Sequence, residues 1–134
     1  MRFSTISAAL LLSIMASSVS ASDFEISFDW GNIKKCTSGN PNTVSNPIFE
    51  LRNVPDGTTW IYFKLVDKNV TSYNHGGGWV EYKGQSKIEP GAFKYKSPCP
   101  PNGRHNYEWT ASAKKKKSSF GGTISKAKAS KMYP

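Results

Sequence analysis

Residues 97–113, SPCPPNGRHNYEWTASA, decide how the rest of the chain is read. Ser97-Pro98-Cys99-Pro100-Pro101 is a turn stiffened by prolines, whose rings fix the backbone angle φ. Asn102-Gly103 is a hinge, and from His105 onward the pattern changes. His105, Tyr107, Trp109, Ala111 and Ala113 share one parity, while Asn106, Glu108, Thr110 and Ser112 share the other. Side chains alternate faces along a strand, so the odd set is expected to face a core and the even set solvent. His105 then opens the strand on the core side, beside a rigid loop, where a pocket floor would place a polar group. A merely hydrogen-bonded histidine would occupy the same position.

Upstream, residues 24–30 (FEISFDW) put apolar side chains at even positions and polar ones at odd, which reads as a strand with one wet face. Residues 34–46, rich in Ser, Thr, Asn, Gly and Pro and carrying Cys36, read as loop. A strand over 48–53 leads into a turn, Val54-Pro55-Asp56-Gly57-Thr58, tightest at Asp-Gly. Residues 59–66 (TWIYFKLV) are apolar on both parities, the composition of a strand covered on both faces and central in its sheet. Residues 67–78 form a long polar loop with three glycines, suited to close backbone approach or to mobility. A short strand over 79–83 and a mixed segment over 87–96, with a Pro90-Gly91 turn, complete that side. Downstream, 114–119 is a basic connection and Gly121-Gly122 loosens the chain. The last strand spans 123–130, with small core-side residues (Ala127, Ala129) and with Lys126 and Lys128 on one face. No segment has helical periodicity. About seven short strands separated by turns predict an all-β, antiparallel sandwich.

The first residues read as a secretory signal peptide over 1–21. Met1-Arg2 is a short positive end, 6–15 is apolar, and Val19-Ser20-Ala21 is a small-residue cleavage site. Residues 22–134 then form one domain, exported to the periplasm or secreted. No later apolar run reaches membrane-spanning length, so no transmembrane segment is expected. Export permits disulfides, and Cys36 and Cys99 allow a single pairing. Such a bridge would contribute roughly 3–4.5 kcal/mol by chain entropy; two unpaired thiols are the alternative. The formal net charge is +9, and the excess is mostly lysine. That balance favours anionic surfaces such as lipid headgroups, surface polysaccharide phosphate or nucleic acid, or serves solubility alone. Only Arg52 and Arg104 follow the signal segment, so bidentate phosphate forks are scarce.

Several of these stretches together resemble the phosphatidylethanolamine-binding protein family, in its bacterial, Raf kinase inhibitor-like branch. They are Cys36, Asn46-Pro47, Asn53-Val54-Pro55-Asp56-Gly57-Thr58, Phe63-Lys64-Leu65-Val66-Asp67, Trp79-Val80, and Ser97-Pro98-Cys99-Pro100-Pro101-Asn102-Gly103-Arg104-His105-Asn106-Tyr107. The Pro-Cys-Pro-Pro…Gly-x-His-x-Tyr run is the specific part. The resemblance implies a Greek-key β-sandwich, here without the family's C-terminal helix, and a small anion pocket for phosphate-like groups. It implies Asp67, His105 and Tyr107 as pocket residues, with Pro98 and Pro100 as wall and Trp79 and Arg104 nearby. Three departures stand out. Asp67-Lys68-Asn69 replaces Asp-Pro-Asp, Asn106 replaces the arginine after the histidine, and Gly78 stands where a second histidine would precede Trp79. His75, three residues earlier, is a substitute for that histidine, or else a loop histidine in solvent.

In such a pocket His105 and Tyr107 would donate hydrogen bonds, and Asp67 would orient His105 or Arg104. No serine sits in a nucleophile elbow, and two histidines with one aspartate make a poor metal set, so neither an enzyme, a metal nor a cofactor is expected. The tryptophans (Trp30, Trp60, Trp79, Trp109) read as core, and no nucleic-acid-binding motif is present. Residues 114–117 read as a solvated lysine turn or as a docking edge. The sequence therefore points to an exported binding protein for a phosphate-bearing small molecule or lipid headgroup. The competing reading is an interaction or inhibitor protein docking on a protein or polyanion through that lysine-rich edge.

Overall fold

A computed structural model describes residues 22–134; the proposed signal peptide lies outside them. The elements are β1 (Glu25–Phe28), β2 (Thr43–Ser45), β3 (Phe49–Arg52), β4 (Trp60–Asp67), β5 (Gly77–Glu81), β6 (Lys87–Ile88), β7 (Lys94–Lys96), β8 (His105–Lys114) and β9 (Thr123–Tyr133). Every pairing is antiparallel. A four-stranded sheet runs β5-β4-β8-β9, a three-stranded sheet runs β1-β3-β6, and β2 pairs with β7. Neighbours far apart in sequence, such as β4 and β8, mark the crossovers expected of a Greek-key sandwich.

Period-two alternation builds the core. Ile26 and Phe28 of β1, Phe49 and Leu51 of β3, Ile61, Phe63 and Leu65 of β4, and Tyr107, Trp109, Ala111 and Ala113 of β8 all point inward. Phe49 stacks on Phe63 at 4.4 Å and meets Trp109 edge-on at 5.1 Å, joining the two larger sheets through aromatic contact. The odd-parity reading of β8 is the observed one, and β4 is central in its sheet as its composition predicts.

Four readings need correcting. Residues 34–46 are not all loop, because Thr43–Ser45 is a strand held by β7. With one apolar residue, Val44, it has no alternation to show; its partner specifies it. The last strand runs on to Tyr133, since its register with β8 continues to His105↔Tyr133. The outer face of β4 is only half covered, with Lys64 exposed. Lys114 is not in a solvated turn: it ends β8, only 5% exposed, and its Nζ donates to Thr123 Oγ1 at 2.8 Å.

Two devices fix the connections that carry the site. Cys36 and Cys99 are disulfide-bonded, and the backbone N–H of Gly39 donates to the carbonyl of Cys99 at 3.1 Å. Asn46, 1% exposed, accepts at Oδ1 from the N–H groups of Gly91 and Phe93 and donates from Nδ2 to the carbonyls of Pro47 and Glu89. Each polar atom of this buried amide is satisfied, so it pins the turn before β7 rather than costing stability.

Candidate functional site

The β4–β8 register sets Asp67 opposite Tyr107 at one end of the inner sheet face, with His105 opening β8 two residues earlier. Asp67 Oδ2 accepts a hydrogen bond from His105 Nδ1 at 2.7 Å. Its other oxygen, Oδ1, accepts from the backbone N–H groups of Asn69 at 2.9 Å and Val70 at 3.2 Å. Asn69 in turn accepts at Oδ1 from the N–H of Asn106 at 2.8 Å, and the Asn106 carbonyl accepts from Lys68 at 2.7 Å. Lys68-Asn69 and Asn106, two of the departures from the family pattern, thus strap the loop after β4 to the start of β8. Burial alone raises the Asp67 carboxyl, but the His105 hydrogen bond, the two backbone N–H groups and the imidazole charge outweigh it and hold it below the ordinary value. Asp67 is therefore ionised at neutral pH, and His105 Nδ1 is the donor.

His75 arrives from the loop between β4 and β5. It is not in solvent: it is 3% exposed, with Nδ1 2.8 Å from the carbonyl of Lys96. A carbonyl only accepts, so Nδ1 carries the hydrogen. The ring packs against Tyr73 at 4.6 Å and meets Tyr107 edge-on at 5.5 Å. Burial pushes its pKa down, only partly opposed by the Lys96 carbonyl and the Asp67 charge, so it is neutral at neutral pH. In both histidines it is Nδ1 that is committed, and Nε2 is the nitrogen left for a ligand. Position 78 has no room for a ring. A Cβ on Gly78 would overlap the Phe93 side chain, and one on Gly77 would run into the Phe63 carbonyl. Here those glycines serve close approach, not mobility.

Tyr107 is wholly buried, and its hydroxyl has no hydrogen-bond partner of good geometry, although the Asp67 carboxylate and the Cys99 backbone are its polar neighbours. Burial, reinforced by the Asp67 charge, raises its pKa and keeps it a donor.

Asp67, His75, His105 and Tyr107 form the polar part of a cleft of about 190 Å³. Val70 and Tyr73 line one side; Gly39 and Pro41 face Cys99, Pro100 and Pro101 across the disulfide. Three residues implied by the resemblance are not brought to this cleft. Pro98 is buried behind the wall, and Arg104 is exposed and donates from Nε to the carbonyl oxygen of Pro134 at 2.7 Å. Trp79 packs on Tyr62 at 4.9 Å, on the other side of the sheet. Val70, Tyr73, Gly39, Pro41, Cys99 and Pro101 were not foreseen as lining. Tyr73 had one signal, its spacing of two from His75. Among the described residues no serine, threonine or free thiol lines the cleft. The arrangement can hold a small polar group and donate hydrogen bonds to it; the one hydroxyl in the cleft, that of Tyr107, is kept protonated by burial.

No protein-family model matches the sequence, and no curated protein matches it. Among solved structures, a phosphatidylethanolamine-binding protein homolog from Chlamydia trachomatis, CT736, superposes with a TM-score of 0.58 at 14% identity, covering 84% of this chain and 97% of that one. YbcL of E. coli, described as a new member of the mammalian PEBP family, gives a TM-score of 0.60 at 14% identity, covering 84% and 98%. At that identity the likeness is one of fold. The fold of this chain is that of the phosphatidylethanolamine-binding proteins, the family that its residues resemble.

Proposed function

We propose that the chain is an exported, non-enzymatic binding protein whose cleft takes a phosphate-bearing headgroup or a similar small anion. The observation that carries this reading is the polar cluster at one end of an open cleft: the Asp67–His105 pair, and beside it a buried Tyr107 hydroxyl with no well-aligned hydrogen-bond partner. A buried donor without a partner costs free energy that a ligand oxygen would return. Asp67 does not meet the anion; it holds His105 by Nδ1, so that a protonated ring presents Nε2–H with its charge offset. No lysine or arginine lines the cleft, so binding depends on hydrogen bonds and on histidine protonation rather than on a standing positive potential. Affinity then rises as pH falls, as a bound anion compensates the burial that keeps His75 neutral. The cystine supports export, because such bonds persist in oxidising compartments.

An NMR titration with phosphate and with phosphoethanolamine, at about pH 6 and about pH 7.5, tests the reading. Saturable shifts at His105 and Tyr107, larger at the lower pH and abolished in His105→Ala, are expected. No shift at millimolar ligand would sink it.

A further inference from the structure

The four-stranded sheet has a second face. While Asp67 and Tyr107 point inward, Tyr62 and Lys64 of β4 and Thr110 and Ser112 of β8 point outward, over an open groove of about 370 Å³. The registers place side chains across it in rows. One row runs Trp79, Tyr62, Ser112, Lys126; the next runs Gly77, Lys64, Thr110, Lys128; at one end Lys114 is paired with Thr123. At the spacing of adjacent strands a row spans about 15 Å. Aromatic rings thus occupy the β4–β5 side, hydroxyls the floor and lysines the β9 side.

The charge there is not balanced by the protein. No carboxylate lines the groove; Glu108, beyond its end, lies 3.9 Å from Lys128 and 3.7 Å from Lys68. Lys114 is the telling residue. Its ammonium has three donors, it is 5% exposed, and among the described residues its hydrogen bond to Thr123 is the only one and no carboxylate pairs with it. An ammonium with a single side-chain hydrogen bond and no carboxylate beside an open groove is a ready partner for an anion entering that groove.

We propose that this groove binds an acidic sugar: a short oligosaccharide carrying carboxylate or sulfate groups. Its anionic groups meet Lys114, Lys64 and the β9 lysines, its hydroxyls meet Thr110 and Ser112, and the C–H face of a ring lies on the Tyr62–Trp79 pair. Lysines, as point charges, meet the oxygens of separate anionic groups one at a time, which suits carboxylates or sulfates spaced along a sugar chain. The most discriminating base contacts are the bidentate ones of arginine and amide side chains, and neither lines the groove. The site is on the opposite face of the sheet from the Asp67–His105 cleft, so it stands or falls independently of that cleft's ligand.

The test titrates the protein with a tetragalacturonide, a heparin-derived tetrasaccharide, a neutral maltotetraose and a single-stranded oligonucleotide of matching charge. The expected result is saturable binding of both acidic sugars, none of maltotetraose, and weaker binding of the oligonucleotide. Lys126→Gln/Lys128→Gln, at exposed positions, should weaken the acidic sugars about tenfold. Lys114→Met should also weaken them, and Trp79→Leu should do so without changing net charge. Lys115→Gln/Lys116→Gln, the same charge loss outside the groove, should change affinity less than about twofold. Equal loss in both double variants, or tighter binding of the oligonucleotide, or no saturable binding of either acidic sugar, overturns the proposal. His105→Ala should leave acidic-sugar binding unchanged.

Discussion

Burial has stripped the Tyr107 hydroxyl of water, and the fold gives it no well-aligned partner in return, only the nearby Asp67 carboxylate and Cys99 backbone. Tyr107→Phe should therefore leave stability unchanged or raise it by up to about 1 kcal/mol, while weakening binding of phosphate or phosphoethanolamine. Urea unfolding and the same titration, run on one preparation, separate the two effects. The histidine behind it gives a pH signature. The folded-state pKa of His75 lies below the ordinary 6.5, so the unfolded chain binds the extra proton first as pH drops. Stability is then complete above about pH 6.5 and falls as pH drops from there through the folded pKa. Asp67 acts in the same direction lower down: its depressed carboxyl contributes stability above its ordinary 3.8 that is lost as pH falls through the folded value. A stability–pH curve should show both limbs, and His75→Gln should flatten the upper one alone. These residues were legible to different degrees. The placement of His105 and Tyr107 on the core side followed from parity. The burial of His75 did not, because a polar, glycine-rich loop carries no periodicity from which burial can be inferred.

At the scale of elements, the glycines before Trp79 decide how closely β5 approaches β4. A methyl at Gly77 would meet the Phe63 carbonyl, which is backbone and cannot swing aside. Gly77→Ala should cost about 3 kcal/mol or more, whereas Gly76→Asn, at a positive-φ position with open space around it, should cost less than about 1 kcal/mol. Urea midpoints of the two variants test this contrast. Long strands were readable because alternation over β4 and β8 repeats often enough to be seen. The three-residue β2 was not, since its place comes from β7 and from the fully bonded Asn46 next to it. The amphipathic reading of β9 placed Lys126 and Lys128 on one face, but the groove they border also needs β4, β5 and β8, which only the register assembles.

Across the whole molecule, the cystine closes a sequence separation of 63 residues. Cys36→Ser/Cys99→Ser should lower stability by about 4 kcal/mol on the chain-entropy account, measured by the shift in urea midpoint at constant slope. The sandwich class was legible in strand count and turn spacing, and the pairing in the presence of two cysteines alone. What the sequence left open was which surfaces the fold would bring together, and the cystine bears on that too. Gly39 and Pro41 belong to one lip of the Asp67–His105 cleft, Cys99 to Pro101 to the other, and the sulfur bridge is the seam between them. Unseamed, the lips would keep the Gly39–Cys99 backbone bond and, at their base, the two hydrogen bonds between Asn42 and Ser97 that lead into the β2–β7 pairing, but no covalent tie. Wherever thiols are kept reduced, the sheets should still form while the two lips of the cleft are less firmly fixed. On the proposed reading the bond is also a clock, tying the cleft's full competence to arrival in an oxidising compartment.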